Sequence, residues 1–137
     1  MYFYVFFISA LNGKESHILL DVLKEDIHYK TLVKTPVGSS FLKETGTPVM
    51  VTTPDFNNIL GDKLTAFAPT TTGIPYIKKD KEMGMEIIKQ MYDVGCLFDE
   101  IDDISMVKDV FKAFAAIELE YRGNTHTISD VLDDTCL

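Results

Sequence analysis

An α/β fold, with a mixed sheet in the first half and a helical, acidic extension in the second, is what this sequence predicts. Three observations carry it. The chain opens on an unbroken aromatic and β-branched run, Tyr2-Phe3-Tyr4-Val5-Phe6-Phe7-Ile8, which reads as a central strand covered on both faces. From Lys79 onward apolar residues recur at the helical period. The net charge of −8 lies wholly in the last third: residues 1–92 carry ten Lys and ten acidic residues, and residues 93–137 carry eleven acidic residues against Lys108, Lys112 and Arg122.

A chain of 137 residues is one domain's worth, read here as a core over 1–75 with the extension 76–137 packed on it. An apolar fraction of 46% with nine Phe and six Tyr is globular. The only long apolar stretch, Met1 to Leu11, is about half the roughly 20 residues of a membrane-spanning helix, and it has no basic flank of the signal-peptide kind. Cys96 and Cys136 belong to no C-x-x-C pair, as in a reduced protein with incidental thiols. A cytoplasmic location without membrane contact is expected. The acidic balance disfavours nucleic-acid binding, which needs a basic surface, and points to a basic protein partner.

After the first strand and Asn12-Gly13, a helix is expected from Lys14 to Lys24, with Ile18, Leu19, Val22 and Leu23 on one face. Residues 26–33 alternate as a half-buried strand. Pro36 to Ser40 is a loop, with Ser39 or Ser40 placed to cap a short helix through Glu44. Val49 to Thr53 is the next strand, Pro54-Asp55-Phe56-Asn57 a turn, and Asn58 to Leu60 the return strand. Asp62 caps a short segment to Ala68, and Ile74 to Ile77 is a connector or edge strand. A helix over Lys79 to Val94 carries Met83, Ile87, Ile88, Met91 and Val94 on one stripe and stops at Gly95. Asp102 or Asp103 caps the next helix, with Ile104, Val107, Val110, Phe111, Phe114 and Ile117 on its face, ending at Arg122-Gly123-Asn124. Thr127 to Leu132 forms a last turn.

The order strand, helix, strand, then Gly46-Thr47-Pro48 before Val49-Met50-Val51, then Gly61-Asp62, resembles the glutaredoxin branch of the thioredoxin superfamily and, more distantly, the N-terminal domain of glutathione transferases. The resemblance spans about residues 2–68. It implies a thioredoxin-like mixed sheet formed by residues 2–8, 27–33, 49–53 and 57–60, with a cis Pro48 at the edge of the third strand. It also implies a glutathione-type ligand site at Ser16, Thr47, Pro48, Gly61 and Asp62. The family's C-P-x-C falls on Gly13-Lys14-Glu15-Ser16, where both sulfurs are missing, so thiol–disulfide exchange is excluded there. Ser16 keeps open a glutathione-binding transferase reading, with glutathione the one possible cofactor. Pro48 to Val51, Asp55-Phe56-Asn57, Gly61-Asp62 and Pro69-Thr70-Thr71-Thr72 also look like the middle of MazF/PemK-type endoribonucleases. The catalytic arginine of those toxins would fall on Thr47, and Arg122 is the only arginine here.

His17, His28 and His126 share no metal or dyad spacing, and no glycine-rich phosphate loop exists. The acidic run Asp99, Glu100, Asp102, Asp103, continued by Asp109, lacks the spaced ligands of a calcium loop and is assigned to partner binding. The function expected from these readings is non-catalytic: a redox-inactive, thioredoxin-fold binding or regulatory protein, of the kind found among viral and phage accessory proteins that act on a host protein. The alternatives are the glutathione transferase and the endoribonuclease.

Overall fold

The structure is a computed structural model that describes residues 1–24, 26–39 and 45–136. It is mixed α/β, with strands gathered into three small antiparallel pairs and a body of four helices. Strands β1 (Tyr2–Ile8) and β2 (Glu15–Asp21) form the first pair, in register from Tyr2↔Asp21 to Ile8↔Glu15. Asn-Gly is the strongest local hairpin signal, and here Gly13 takes φ +64° while the Asn12 side chain accepts from the Lys14 amide at 3.0 Å. The helix expected over Lys14 to Lys24 is therefore a strand: Ile18-Leu19-Leu20 fits either period, and the turn before it decides. Alternation places Phe3, Val5, Phe7, Ile18 and Leu20 on one face of the pair, while Tyr4, Phe6 and His17 cluster on the other, with Tyr4 and His17 ring centroids 5.2 Å apart. Far from being a covered central strand, β1 is exposed along its length, from 43% at Phe7 to 67% at Ile8.

The second pair joins β3 (Leu32–Pro36) to β4 (Met50–Pro54), with Thr35 and Thr53 hydroxyls 2.7 Å apart. The strand expected over 26–33 thus lies later in the chain, and the strand beginning at Val49 is found one residue on. The short helix expected through Glu44 falls on residues 40–44, outside the described residues. Every described peptide bond is trans, Thr47–Pro48 included; trans is the default even before proline, and Gly46, at φ +87°, bends the loop instead.

Chain direction changes at Asp55, whose carboxylate accepts from the Asn58 amide at 2.9 Å and its side-chain amide at 2.7 Å. That cap opens helix α1 (Phe56–Ala66) where a turn and return strand were expected, since Pro-Asp serves a turn and a helix start equally well. No single sheet unites residues 2–8, 27–33, 49–53 and 57–60. A third pair, β5 (Ile77–Lys78) and β6 (Lys81–Glu82), turns through Lys79 and Asp80, both at positive φ, so α2 begins only at Gly84 and runs through Gly95 to Phe98. Helix α3 (Ile104–Tyr121) starts at the expected Asp103 cap, and α4 (Ile128–Asp134) carries a reciprocal cap between Thr127 and Asp130.

The core lies among the helices. Leu60, Ala68, Val107, Val110, Phe111, Ala115, Leu119 and Val131 are buried, so α1 from the first half of the chain packs on α3 and α2 from the second. Gly61 makes that approach close: a Cβ there would meet the Val110 Cβ at 2.7 Å and the Val107 carbonyl oxygen at 2.8 Å. Segment 28–30 docks on the same helices. Lys30 gives its amide to Asn58 Oδ1 at 2.7 Å and its Nζ to Asp109 at 2.7 Å, and Tyr29 lies 5.0 Å from the Phe114 ring.

Candidate functional site

A cleft of about 450 Å³ that gathers charged groups of both signs is bounded by the second half of α1, the loop 72–75, the β5–β6 pair and the end of α3. It gathers two carboxylates, Asp62 and Glu118, two cations, Lys78 and Arg122, and the hydroxyl residues Thr65 and Thr72. Asp62 faces it because α1 turns its apolar side, Leu60 and Gly61, toward α3. Burial pushes the Asp62 carboxyl above the ordinary carboxylate range, against the opposing effects of the Tyr29 hydroxyl and Lys63. The Tyr29 hydroxyl donates to Asp62 Oδ2 at 2.7 Å, and burial together with that carboxylate raises the phenol. Arg122 closes the far side. Its guanidinium donates to the Thr72 carbonyl and lies 3.9 Å from Glu118. Thr72 is buried, and its hydroxyl donates to the Thr65 carbonyl at 2.7 Å.

Two devices hold the walls. Lys63, next to Asp62, reaches α2, where Gln90 Oε1 accepts at 2.8 Å and Asp93 lies at 3.0 Å. Asp134 of α4, 8% exposed, accepts four hydrogen bonds from the loop after α1: the amides of Thr70 and Thr71 at 2.8 and 2.9 Å, and their hydroxyls at 2.5 and 2.8 Å. Burial alone would raise this carboxyl; the hydroxyl and amide donors outweigh it and hold Asp134 below its ordinary value.

The residues assigned to a glutathione-type site are dispersed. Ser16 lies on β2, Thr47 and Pro48 in the β3–β4 loop, and Gly61 is sealed against α3; only Asp62 reaches the cleft. The acidic run is largely occupied with architecture. Asp102 accepts from Asn57 Nδ2 at 2.8 Å, Asp103 caps α3 through the Met106 amide at 3.0 Å, and Asp109 pairs with Lys30, which holds its carboxyl below the usual range. Asp99 and Glu100 stay exposed in the turn after α2. The polar cleft residues that the sequence reading assigned to no site are Thr65, Lys78, Glu118 and Arg122, and it likewise gave no role to Tyr29, which bonds to Asp62 from outside the lining. Their one local signal is a lone arginine beside a helix stop, and only the tertiary fold brings it to Asp62.

The family of nucleotidyl transferase AbiEii toxins, of type IV toxin–antitoxin systems, matches residues 2–133. The chain belongs to this family. Neither the curated proteins nor the solved structures provide a match. Membership in the AbiEii family overturns the thioredoxin and glutaredoxin resemblance and the redox-inactive binding role drawn from it, along with the glutathione transferase and MazF/PemK alternatives. The misleading likenesses rested on short Pro-, Gly- and Thr-containing strings, and the fold uses those residues otherwise: Gly61 for helix contact, and Thr70 and Thr71 to bind Asp134. Among the described residues no three His, Cys, Asp or Glu side chains converge as for a metal, and no helix is long and apolar enough to cross a membrane.

Proposed function

We propose that this AbiEii-family chain acts as a nucleotidyl-transferase toxin and that the α1–α3 cleft receives the nucleotide. The observation that carries this reading is the meeting of Lys78 and Arg122 with Asp62 in one concavity of a chain matched over nearly its whole length to that family. Nucleotidyl transfer joins an acceptor hydroxyl to the α-phosphorus of a nucleoside triphosphate, breaks the α–β bridging P–O bond and releases pyrophosphate. Two roles follow for the cleft. Lys78 and Arg122 offset the charge that accumulates on the departing pyrophosphate. Asp62, whose Oδ2 is fixed by Tyr29, takes the acceptor's proton through Oδ1; its raised affinity for protons suits a general base. Divalent cations serve many phosphoryl transfers, but among the described residues Asp62 and Glu118 are the carboxylates lining the cleft, and each already has a partner in Tyr29 or Arg122. The donor set does not fit a metal pair.

The test uses the purified protein with each of the four nucleoside triphosphates, labelled in turn at the α- and γ-phosphate, and total cellular RNA and protein as acceptors. Label is expected to pass from the α position only, and Asp62→Asn and Lys78→Glu are each expected to lower the rate at least about a hundredfold. Absence of α-label transfer from every nucleotide, or undiminished transfer by Asp62→Asn, would refute the assignment.

A further inference from the structure

A second concavity, toward the other end of α3 from the polar cleft, differs in character. It encloses about 600 Å³ between the ends of α1 and α2, the first half of α3, and α4. That volume lies in the range of small-molecule pockets. Its wall is apolar almost throughout, with Phe67, Val94, Phe98, Ile104, Phe111 and Leu132 among the lining side chains. The charged groups on it are two, Lys108 and Lys112, one helical turn apart on α3. Like charges at that spacing oppose helix formation. Among the described residues neither lysine has an ion-pair partner, in a chain where acidic residues outnumber basic ones 21 to 13. Asp109, the carboxylate that both lysines feel, is already engaged by Lys30, so two cations without a salt bridge over an apolar wall ask for an occupant with an anionic head and an apolar body.

We infer that this cavity binds a single-chain amphiphile with a carboxylate head, a long-chain fatty acid, its head on Lys108 and Lys112 and its chain against Phe67, Phe98 and Phe111. A second copy is a poorer occupant: the net charge of −8 opposes self-association, and a concave wall does not match its own like. The inference is independent of the nucleotide cleft, with which the cavity shares no lining residue.

Calorimetric titration of the full chain with octanoate, decanoate and laurate, each below its micellar concentration, tests it. One site per chain is expected, with Kd falling about fourfold for each added methylene, the gain for burying a CH₂ group. Dodecylammonium, of equal length and opposite charge, should bind at least about tenfold more weakly than laurate, and Lys108→Glu with Lys112→Glu should invert that preference. Both lysines are exposed, so the reversal leaves the core intact; Leu132→Trp, which fills the cavity from an exposed position, should abolish binding of both ligands. Non-saturable heats, equal affinity for the two head groups, or laurate binding unchanged by the charge reversal would overturn the inference. So would a captured protein partner on the same wall that laurate cannot displace.

Discussion

Glycine to alanine is expected to have opposite signs at two helical positions of this protein. Gly61 lies in α1 at its contact with α3, where an added Cβ would fall 2.7 Å from Val110 Cβ, 2.8 Å from the Val107 carbonyl oxygen and 2.9 Å from the Phe111 amide nitrogen. Carbon atoms rest at roughly 3.5–4.0 Å, so α1 and α3 must part by about 1 Å. Two of the three obstacles are backbone and cannot rotate away. Overpacking of this kind costs about 1–3 kcal/mol, and the backbone contacts place Gly61→Ala near the upper end. The helix propensity of alanine returns about 1 kcal/mol, leaving a net loss of about 2 kcal/mol. Gly95, in the interior of α2, has no atom within 4 Å of the equivalent Cβ, so Gly95→Ala keeps the propensity gain of about 1 kcal/mol. The two variants should then differ by about 3 kcal/mol, roughly two orders of magnitude in the folding equilibrium. Urea titration followed by linear extrapolation measures both. A Gly61→Ala protein as stable as the parent at unchanged m-value would refute the close approach of α1 and α3.

Two further outcomes are expected. Asp134→Ala should cost about 2–3 kcal/mol, the worth of charge-assisted hydrogen bonds lost from a buried carboxylate. Because the folded-state value of Asp134 lies below its unfolded one, the parent's contribution from this group is present above the unfolded value, about 3.9, and fades as pH falls through the lower folded value; in Asp134→Ala that part of the acid dependence should vanish, as acid titration of stability would read directly. Replacing Lys79-Asp80 by Asn-Gly should stabilise the β5–β6 turn by about 0.5–1 kcal/mol, since both residues sit at positive φ, and an unchanged or lower melting temperature would contradict the turn.

The legible parts of the sequence were those where a terminator and a period agree. Asp103 before Ile104-Val107-Val110-Phe111, with Arg122-Gly123-Asn124 after, delivers α3 nearly residue for residue, and Thr127 marks the start of α4. Where one string suits two structures, the sequence reading took the wrong one. Ile18-Leu19-Leu20 satisfies a helix face as well as a strand, and Pro54-Asp55 suits a turn as well as a cap. The candidate cleft was legible only at Asp62, and for a different reason than the one the fold gives it. Tyr29, Lys78 and Arg122 approach it from three distant parts of the chain. Their convergence depends on Gly61 admitting α3 and on Asn58 holding Lys30, which no local pattern records.

The clasp of Asp134 on Thr70 and Thr71 makes α4 a remote determinant of the polar cleft. Thr72, the next residue, supplies the carbonyl that orients Arg122 and the hydroxyl that ties the loop to Thr65. A seven-residue helix that touches no part of the cleft thereby sets the position of its arginine wall. Any event that lifts α4, whether a cut before Thr127 or a binder that claims Val131, would relax the loop and retune the cleft without occupying it. Control over the cleft is then exerted from α4, a helix outside it.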